Sequence, residues 1–342
     1  MTIEGIKNML KDDRYSFLRN NCHLGDRIIL LGLGGSYAYG TNTSSSDIDI
    51  RGCALNSKEE ILSNVSFEQF TNDETDTVIY SFNKLISLLC NCNPNCIEIL
   101  GLQPDHYLYI SPIGQELLNN RHLFLSKKAI YSFGGYANQQ LQRLRNASIR
   151  SASQSDQEQH ILDTIEHASV NFKNRYFTYP DEAIRVYIDR AVHPEYKTEI
   201  FMDINLHHYP LRDYKAMWSE MNSIVKDYTK LGKRNEAAIK HMKLGKHMMH
   251  VVRLYFMCLD ILERGEIITY RKDEHDFLMC IRNEEYLDEN GQPTEEFFKI
   301  VDNLESKLNE AKENTLLPDK PDYNKIKDFV IGVNERVVTK SI

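Results

Sequence analysis

What this sequence does not contain narrows its class before any motif is read. No apolar run approaches the length that spans a bilayer, and the N-terminal stretch MTIEGIKNMLKDDRYSF carries no apolar signal-peptide region. A cytoplasmic protein with no membrane partner is expected. The dinucleotide fingerprint is missing, because Gly32 and Gly34 start a G-x-G-x-x-G that would need its last glycine at Tyr37. A P-loop is missing too, since no lysine stands between Arg27 and Arg51 to reach the phosphates. Positive charge is scarce: the formal net charge of -8 argues against gripping nucleic acid by bulk electrostatics, though not against a local basic channel. Seven cysteines, an odd number in a chain of 342, read as reduced thiols. Cys90, Cys92 and Cys96 stand close together in LLCNCNPNCIEI, but the spacing is not C-x-x-C and no paired half follows. Space-filling thiols around a turn at Pro94 are expected rather than zinc.

What is present concentrates in GLGGSYAYGTNTSSSDIDIRG, Gly32 to Gly52. RIILLGL, Arg27 to Leu33, is a short branched apolar run closed by glycines, the pattern of a buried strand. The chain then turns at Gly34-Gly35. The missing side chain at Gly35 lets a ligand approach the backbone, and Ser36 offers an N–H and a hydroxyl, a combination suited to phosphate. SDIDIRGCAL, Ser46 to Leu55, alternates as a strand with Asp47 and Asp49 on one face. Two neighbouring carboxylates repel, and a hard divalent cation relieves them: magnesium takes one or two protein carboxylates and completes its shell with water and phosphate oxygens. A solvated sheet edge would also tolerate such aspartates, but the pairing of Gly-Gly-Ser after one strand with D-h-D on the next favours the metal.

These residues resemble the signature of the DNA polymerase β-like nucleotidyltransferase superfamily, hG[GS] followed by D-h-[DE]-h. The chain is most similar to the YcgL/RlaP (RNA-ligase-associated polymerase) type. That closer resemblance rests on DTVIYSFNKLISLLCNCNPNCIEIL, Asp76 to Leu100, and on GKHMMHVVRLYFMCLDILERGEI, Gly245 to Ile267, with its Lys-x-x-x-His-x-x-Arg pattern. The resemblance implies a metal-dependent transfer of a nucleoside monophosphate from an NTP to an acceptor hydroxyl. Gly34, Gly35 and Ser36 would hold the nucleotide, and Asp47 and Asp49 would bind two Mg2+ ions, or Mn2+. A third carboxylate, best matched by Asp76 with Glu74 and Glu98 as alternatives, would share the metals and favour the deprotonated acceptor.

The implied fold is α+β: a nucleotidyltransferase catalytic domain over residues 1–125, with a mixed sheet and flanking helices, then a mostly helical domain over 126–342 that walls the cleft and selects the acceptor. The residue pattern places strands near Arg27–Leu33, Ile48–Leu55 and Thr77–Tyr80, and helices near Asn83–Leu89 and Gly114–Arg121. QSDQEQHILDTIEHASVNFKNRY reads as a helix with Ser155 as its cap. AIRVYIDR and TEIFMDINLHHY read as a hairpin across Pro194 or as continued helix, and helices dominate beyond Leu211.

Two basic stretches could serve phosphates. One is GYANQQLQRLRNASIR, with Arg143, Arg145 and Arg150. In the other, Leu244, Met248, Val251, Tyr255, Leu259 and Leu262 form an apolar stripe, with Lys243, Lys246, His247, His250 and Arg253 nearly opposite. That basic stripe reads either as a solvated face or as a wall of the cleft; Lys246, His250 and Arg253 are the nucleotide-binding candidates within it.

The acceptor expected is RNA, a tRNA or a damaged RNA end. A protein side chain, a small molecule or another nucleotide would use the same chemistry. A non-catalytic NTP-binding regulator is the remaining class, although both paired aspartates are present.

Overall fold

The computed structural model describes residues 1–149, 159, 162, 183–192, 198–230, 244–289 and 291–340. In chain order the strands are β1 (Ile28–Leu33), β2 (Ile50–Ala54), β3 (Gln69–Asn72), β4 (Thr77–Ser81), β5 (Tyr107–Ile110), β6 (Ile184–Arg190) and β7 (Thr198–Ile204). The first five form one mixed sheet in the order β3-β4-β2-β1-β5.

Strand β1 is buried along its whole length, as its unbroken apolar run requires of a strand covered on both faces. It pairs antiparallel with β2 on one side and with β5 on the other. β2 pairs parallel with β4, with Ile50 opposite Thr77. A parallel pair brings two strand beginnings together at one sheet end. The residues just before these beginnings are Asp49 and Asp76. On one face of the sheet Leu31, Ile50 and Ile79 pack with Tyr15, Leu18, Leu24 and Phe67.

Helices Phe82–Leu89 and Pro112–Asn119 follow β4 and β5, close to where the pattern of apolar residues puts them. The first is started by Ser81, whose hydroxyl accepts from the Lys84 N–H, and it buries Leu85 and Leu89 completely. β3 and β5 are strands the sequence did not announce. Both are four residues long, and every residue of each is exposed or only partly covered, so neither shows a decisive apolar alternation.

The chain divides into two compact units. The first comprises 1–139, 246–286 and 295–342; the second comprises 140–245 and 287–294. This division does not follow the expected boundary at 125/126, because residues 246–286 and 295–342 group with 1–139 rather than forming a separate body. The first unit contains most of the helix Leu244–Arg264, and also His275–Arg282, Glu295–Asn314 and Tyr323–Thr339. In the second unit β6 and β7 form the antiparallel hairpin, with Ile184 paired to Ile204 and Arg190 to Thr198, so the helical alternative does not hold. The second unit also contains the helix Leu211–Lys230. Pro194, Lys243 and Arg150 lie outside the described residues, as does the helix expected from 154 to 176 with its Ser155 cap, apart from 159 and 162. Among the described residues no helix is long and apolar enough to cross a membrane.

The stripe Leu244, Met248, Val251, Tyr255, Leu259 and Leu262 is buried throughout. Met249, Val252, Leu254, Met257, Cys258 and Ile261 are buried as well, so this helix is enclosed on more than one side. A stripe-and-face reading understates such a helix, which is buried nearly all round. Of the cysteines at the Pro94 turn, Cys92 is fully buried with its Sγ on the Phe124 carbonyl, and Cys96 is buried as well. Those thiols are committed to packing.

Candidate active site

The site is built at the end of the sheet where β2 and β4 begin. Asp47 and Asp49 precede β2 rather than lying on it, a small correction to the strand expected from Ile48. The ladder nonetheless continues to Asp49, for the Gly34 N–H donates to the Asp49 carbonyl at 2.8 Å. Asp76 has a positive φ of 44° in the turn before β4, and its carbonyl accepts from the Ile50 N–H at 3.0 Å. The left-handed region is costly for a residue with a Cβ, so a turn that keeps it is held by its surroundings.

Arg51 supplies much of that hold. Its Nη1 donates to the Asp76 carbonyl at 2.7 Å and to the Ile50 carbonyl at 3.0 Å, while its Nη2 reaches Asp49 Oδ1 at 3.2 Å. One guanidinium therefore ties the turn bearing Asp76 to the carboxylate of Asp49, a use that suits its fixed fork of donors. On the other side, Arg14 Nη2 donates to the Glu74 carbonyl and fastens the same turn. Glu74 itself is exposed.

Gly35 explains the close approach of the two sequence motifs. Its φ is +54°, and a Cβ there would fall on Asp49 Oδ2. The space freed by the missing side chain is thus taken by the aspartate, not left open for a ligand as the sequence alone suggested. Burial pushes the Asp49 carboxyl above its ordinary value; Arg51 opposes this, Asp76 adds to it, Lys246 opposes and Asp47 adds. Asp47 and Asp76 are exposed, whereas the Asp49 side chain keeps 25% of its surface. Among the described residues no three His, Cys, Asp or Glu side chains already converge as a closed metal cage. The donors are nevertheless all hard oxygens, one of them desolvated in the Gly35 cradle under pressure from like charges. That set fits magnesium or manganese completed by water and phosphate oxygens, and does not fit zinc.

The short helix Gly35–Tyr39 carries Ser36, which is buried with its carbonyl accepting from the Thr41 N–H at 2.9 Å. At its far end Tyr39 is also buried, and its hydroxyl donates to Glu98 Oε2 at 2.9 Å. Burial raises the Glu98 carboxyl, with Arg253 and the Tyr39 bond pulling it back. Glu98 is thereby occupied as a buried partner of Tyr39, and of the three candidate third acids only Asp76 stands abreast of Asp49.

The basic stripe faces this same region. The Arg253 guanidinium carbon lies 3.5 Å from the centroid of the Tyr39 ring, a cation–π contact, and Arg253 is only 8% exposed. Its Nη2 bonds His250 Nδ1 at 3.0 Å. Burial, then Arg253, His247 and Lys246, lower the His250 ring to about 3, so His250 is neutral at physiological pH and orients Arg253 without adding charge. Lys246 and His247 are exposed. Arg143 and Arg145 fall within the helix Lys128–Ile149.

One residue here was not anticipated. Arg282, the last residue of the helix His275–Arg282, donates from Nη2 to Ser46 Oγ at 3.1 Å across 236 positions of sequence. No motif flanks it, and only the tertiary fold brings it to the loop that carries Asp47.

The family described as RlaP, RNA repair pathway DNA polymerase beta family, matches residues 11–332. No curated protein and no solved structure matches the chain.

Proposed function

The chain belongs to the RNA repair pathway DNA polymerase beta family, and from that premise we propose that it transfers a nucleoside monophosphate from an NTP to the hydroxyl of an RNA end, releasing pyrophosphate. The observation that carries this reading is the abreast placement of Asp49 and Asp76 at the beginnings of two parallel strands, with Asp47 beside them and Gly35 cradling the Asp49 carboxylate.

Asp47 and Asp49, with Asp76 as the third acid, are the residues that would hold magnesium or manganese, which when bound neutralises charge on the transferring phosphoryl group and eases loss of the acceptor proton. The protein's own contribution is positioning and charge. Arg51 fixes Asp49 and the Asp76 turn in one frame, so that the two carboxylates keep their spacing. Asp76, being exposed, is open to an incoming hydroxyl and takes its proton. Gly34, Gly35 and Ser36 approach the nucleotide through the backbone, while Lys246 and Arg253 place positive charge beside the acids.

Incubation with each α-labelled NTP, magnesium or manganese and total RNA tests the reading, with the Asp47→Ala/Asp49→Ala double variant as control. Label entering RNA only with the native pair is the expected outcome. Label in protein or in a small molecule would keep the site and change the acceptor, and no metal-dependent turnover of any NTP would remove the reading.

A further inference from the structure

Arg253 and Arg282 come from two different helices, and each has a donor that the fold leaves unmet. Arg253 Nε and Arg282 Nη1 are both buried without a hydrogen-bond partner among the described residues. A buried N–H without an acceptor is expensive, and a charged one more so. The two guanidinium groups also act on each other: burial first and Arg253 second lower the Arg282 pKa. No ion pair satisfies either arginine among the described residues. Arg27 Nη1 and Arg271 Nε are likewise buried without a hydrogen-bond partner, but those two arginines have carboxylates beside them, Glu60 and Asp260, as Arg336 has Glu116.

The unmet donors lie beside the acidic site. Arg282 bonds Ser46, the neighbour of Asp47; Arg253 covers Tyr39 on the Gly35–Tyr39 helix; and Lys246, about two helical turns before Arg253, acts on Asp49. Two forks of donors in a partly dehydrated wall match an oxyanion with several oxygens better than a carboxylate with two.

We propose that Arg282, together with Arg253, holds the polyphosphate tail of the NTP, with Arg282 linking that tail through Ser46 to the loop that carries Asp47. This assignment rests on the nucleotidyl-transfer reading for its substrate but not for its binding chemistry. An oxyanion seated there supplies acceptors to Arg253 Nε and Arg282 Nη1 and offsets the repulsion between the two guanidinium groups. Its remaining phosphate faces the Asp47 and Asp49 side of the site, where the α-phosphate is attacked.

Equilibrium binding of inorganic tripolyphosphate to the full chain in EDTA tests the assignment without metal, acceptor or turnover. The native protein should bind, Arg282→Ala should weaken binding at least tenfold, and Arg282→Lys should fall between them because it keeps the charge and loses the fork. Melting curves accompany each variant; if Arg282→Ala melts early, Arg282→Lys alone carries the comparison, with an affinity loss of several-fold expected. Equal affinity in all three proteins, or no binding by the native chain, overturns the proposal. Parallel transfer assays separate the two ideas. Arginine-dependent tripolyphosphate binding without transfer keeps the site and removes the enzymatic reading, whereas transfer with an unchanged KM for NTP in Arg282→Ala removes the site and keeps the enzyme.

Discussion

The two sides of the candidate site are built on opposite terms. On the sheet side, Asp49 is already answered: Arg51 pairs with it, Gly35 makes room for it, and backbone bonds from Gly34 and Ile50 lock the segments on which Asp49 and Asp76 sit. On the helix side, Arg253 and Arg282 each retain a buried donor with nothing to receive it among the described residues. A pre-paired carboxylate in a rigid frame can exchange its partner for a cation at little reorganisation. A buried guanidinium donor left unmet favours an acceptor beside it. The contrast teaches that the two sides differ in what they lack, and under the proposed function a metal-bound nucleotide would supply both charges.

The sharpest way to break that contrast is to remove the acid that the frame is built around. Asp49→Ala should lower nucleotidyl transfer about a thousandfold, about 4 kcal/mol of transition-state stabilisation, in a single-turnover assay with labelled NTP. Folding should not suffer in parallel with Asp49→Asn. Because the folded carboxyl is raised, the folded state binds more protons than the unfolded one between the two pKa values, so ionisation costs stability as pH rises through that window. The amide cannot ionise, and its melting temperature without metal at neutral pH should equal or exceed the native one.

Gly35→Ala attacks the frame itself, since the new Cβ falls on Asp49 Oδ2 at a positive φ. A loss of about 2 kcal/mol or more in denaturant unfolding is expected, with transfer falling further than stability explains. On the helix side, His250 should mark the stability profile. Its folded pKa of about 3 lies below the ordinary 6.5, so the unfolded chain takes up the proton first and stability rises with pH across that interval. His250→Gln should flatten this acid-side slope, an effect of at most about 5 kcal/mol read from unfolding curves between pH 4 and about 7. The smallest effect is expected for Tyr39→Phe, which leaves Glu98 Oε2 without its buried donor and should cost about 1–2 kcal/mol.

The same contrast decides how much of the molecule could be read in advance. Gly34, Gly35, Ser36, Asp47 and Asp49 lie within sixteen residues, all in the segment that joins β1 to β2, so local spacing displayed them. Asp76 was accessible because it immediately precedes an apolar strand, although only the parallel pairing of β2 with β4 puts it abreast of Asp49. The family match over residues 11–332 agrees with the resemblance seen in those motifs. Arg282 could not be found that way, because its partner Ser46 is 236 residues distant and no pattern surrounds it. Arg51 was visible as part of the motif but silent in role, since its hydrogen bonds to the Asp76 turn are tertiary. Short, half-exposed strands such as β3 and β5 escaped for want of periodicity. The domain boundary escaped because contiguous sequence does not reveal that residues 295–342 return to the N-terminal unit.

Manganese binding, titrated on the native chain and on Asp49→Asn with and without tripolyphosphate, tests the two-charge account most directly. The account predicts that the native protein binds manganese more tightly when tripolyphosphate is present, and that Asp49→Asn loses the manganese yet still binds tripolyphosphate in EDTA. Native-like manganese affinity in Asp49→Asn, or no strengthening by tripolyphosphate in the native chain, would contradict it.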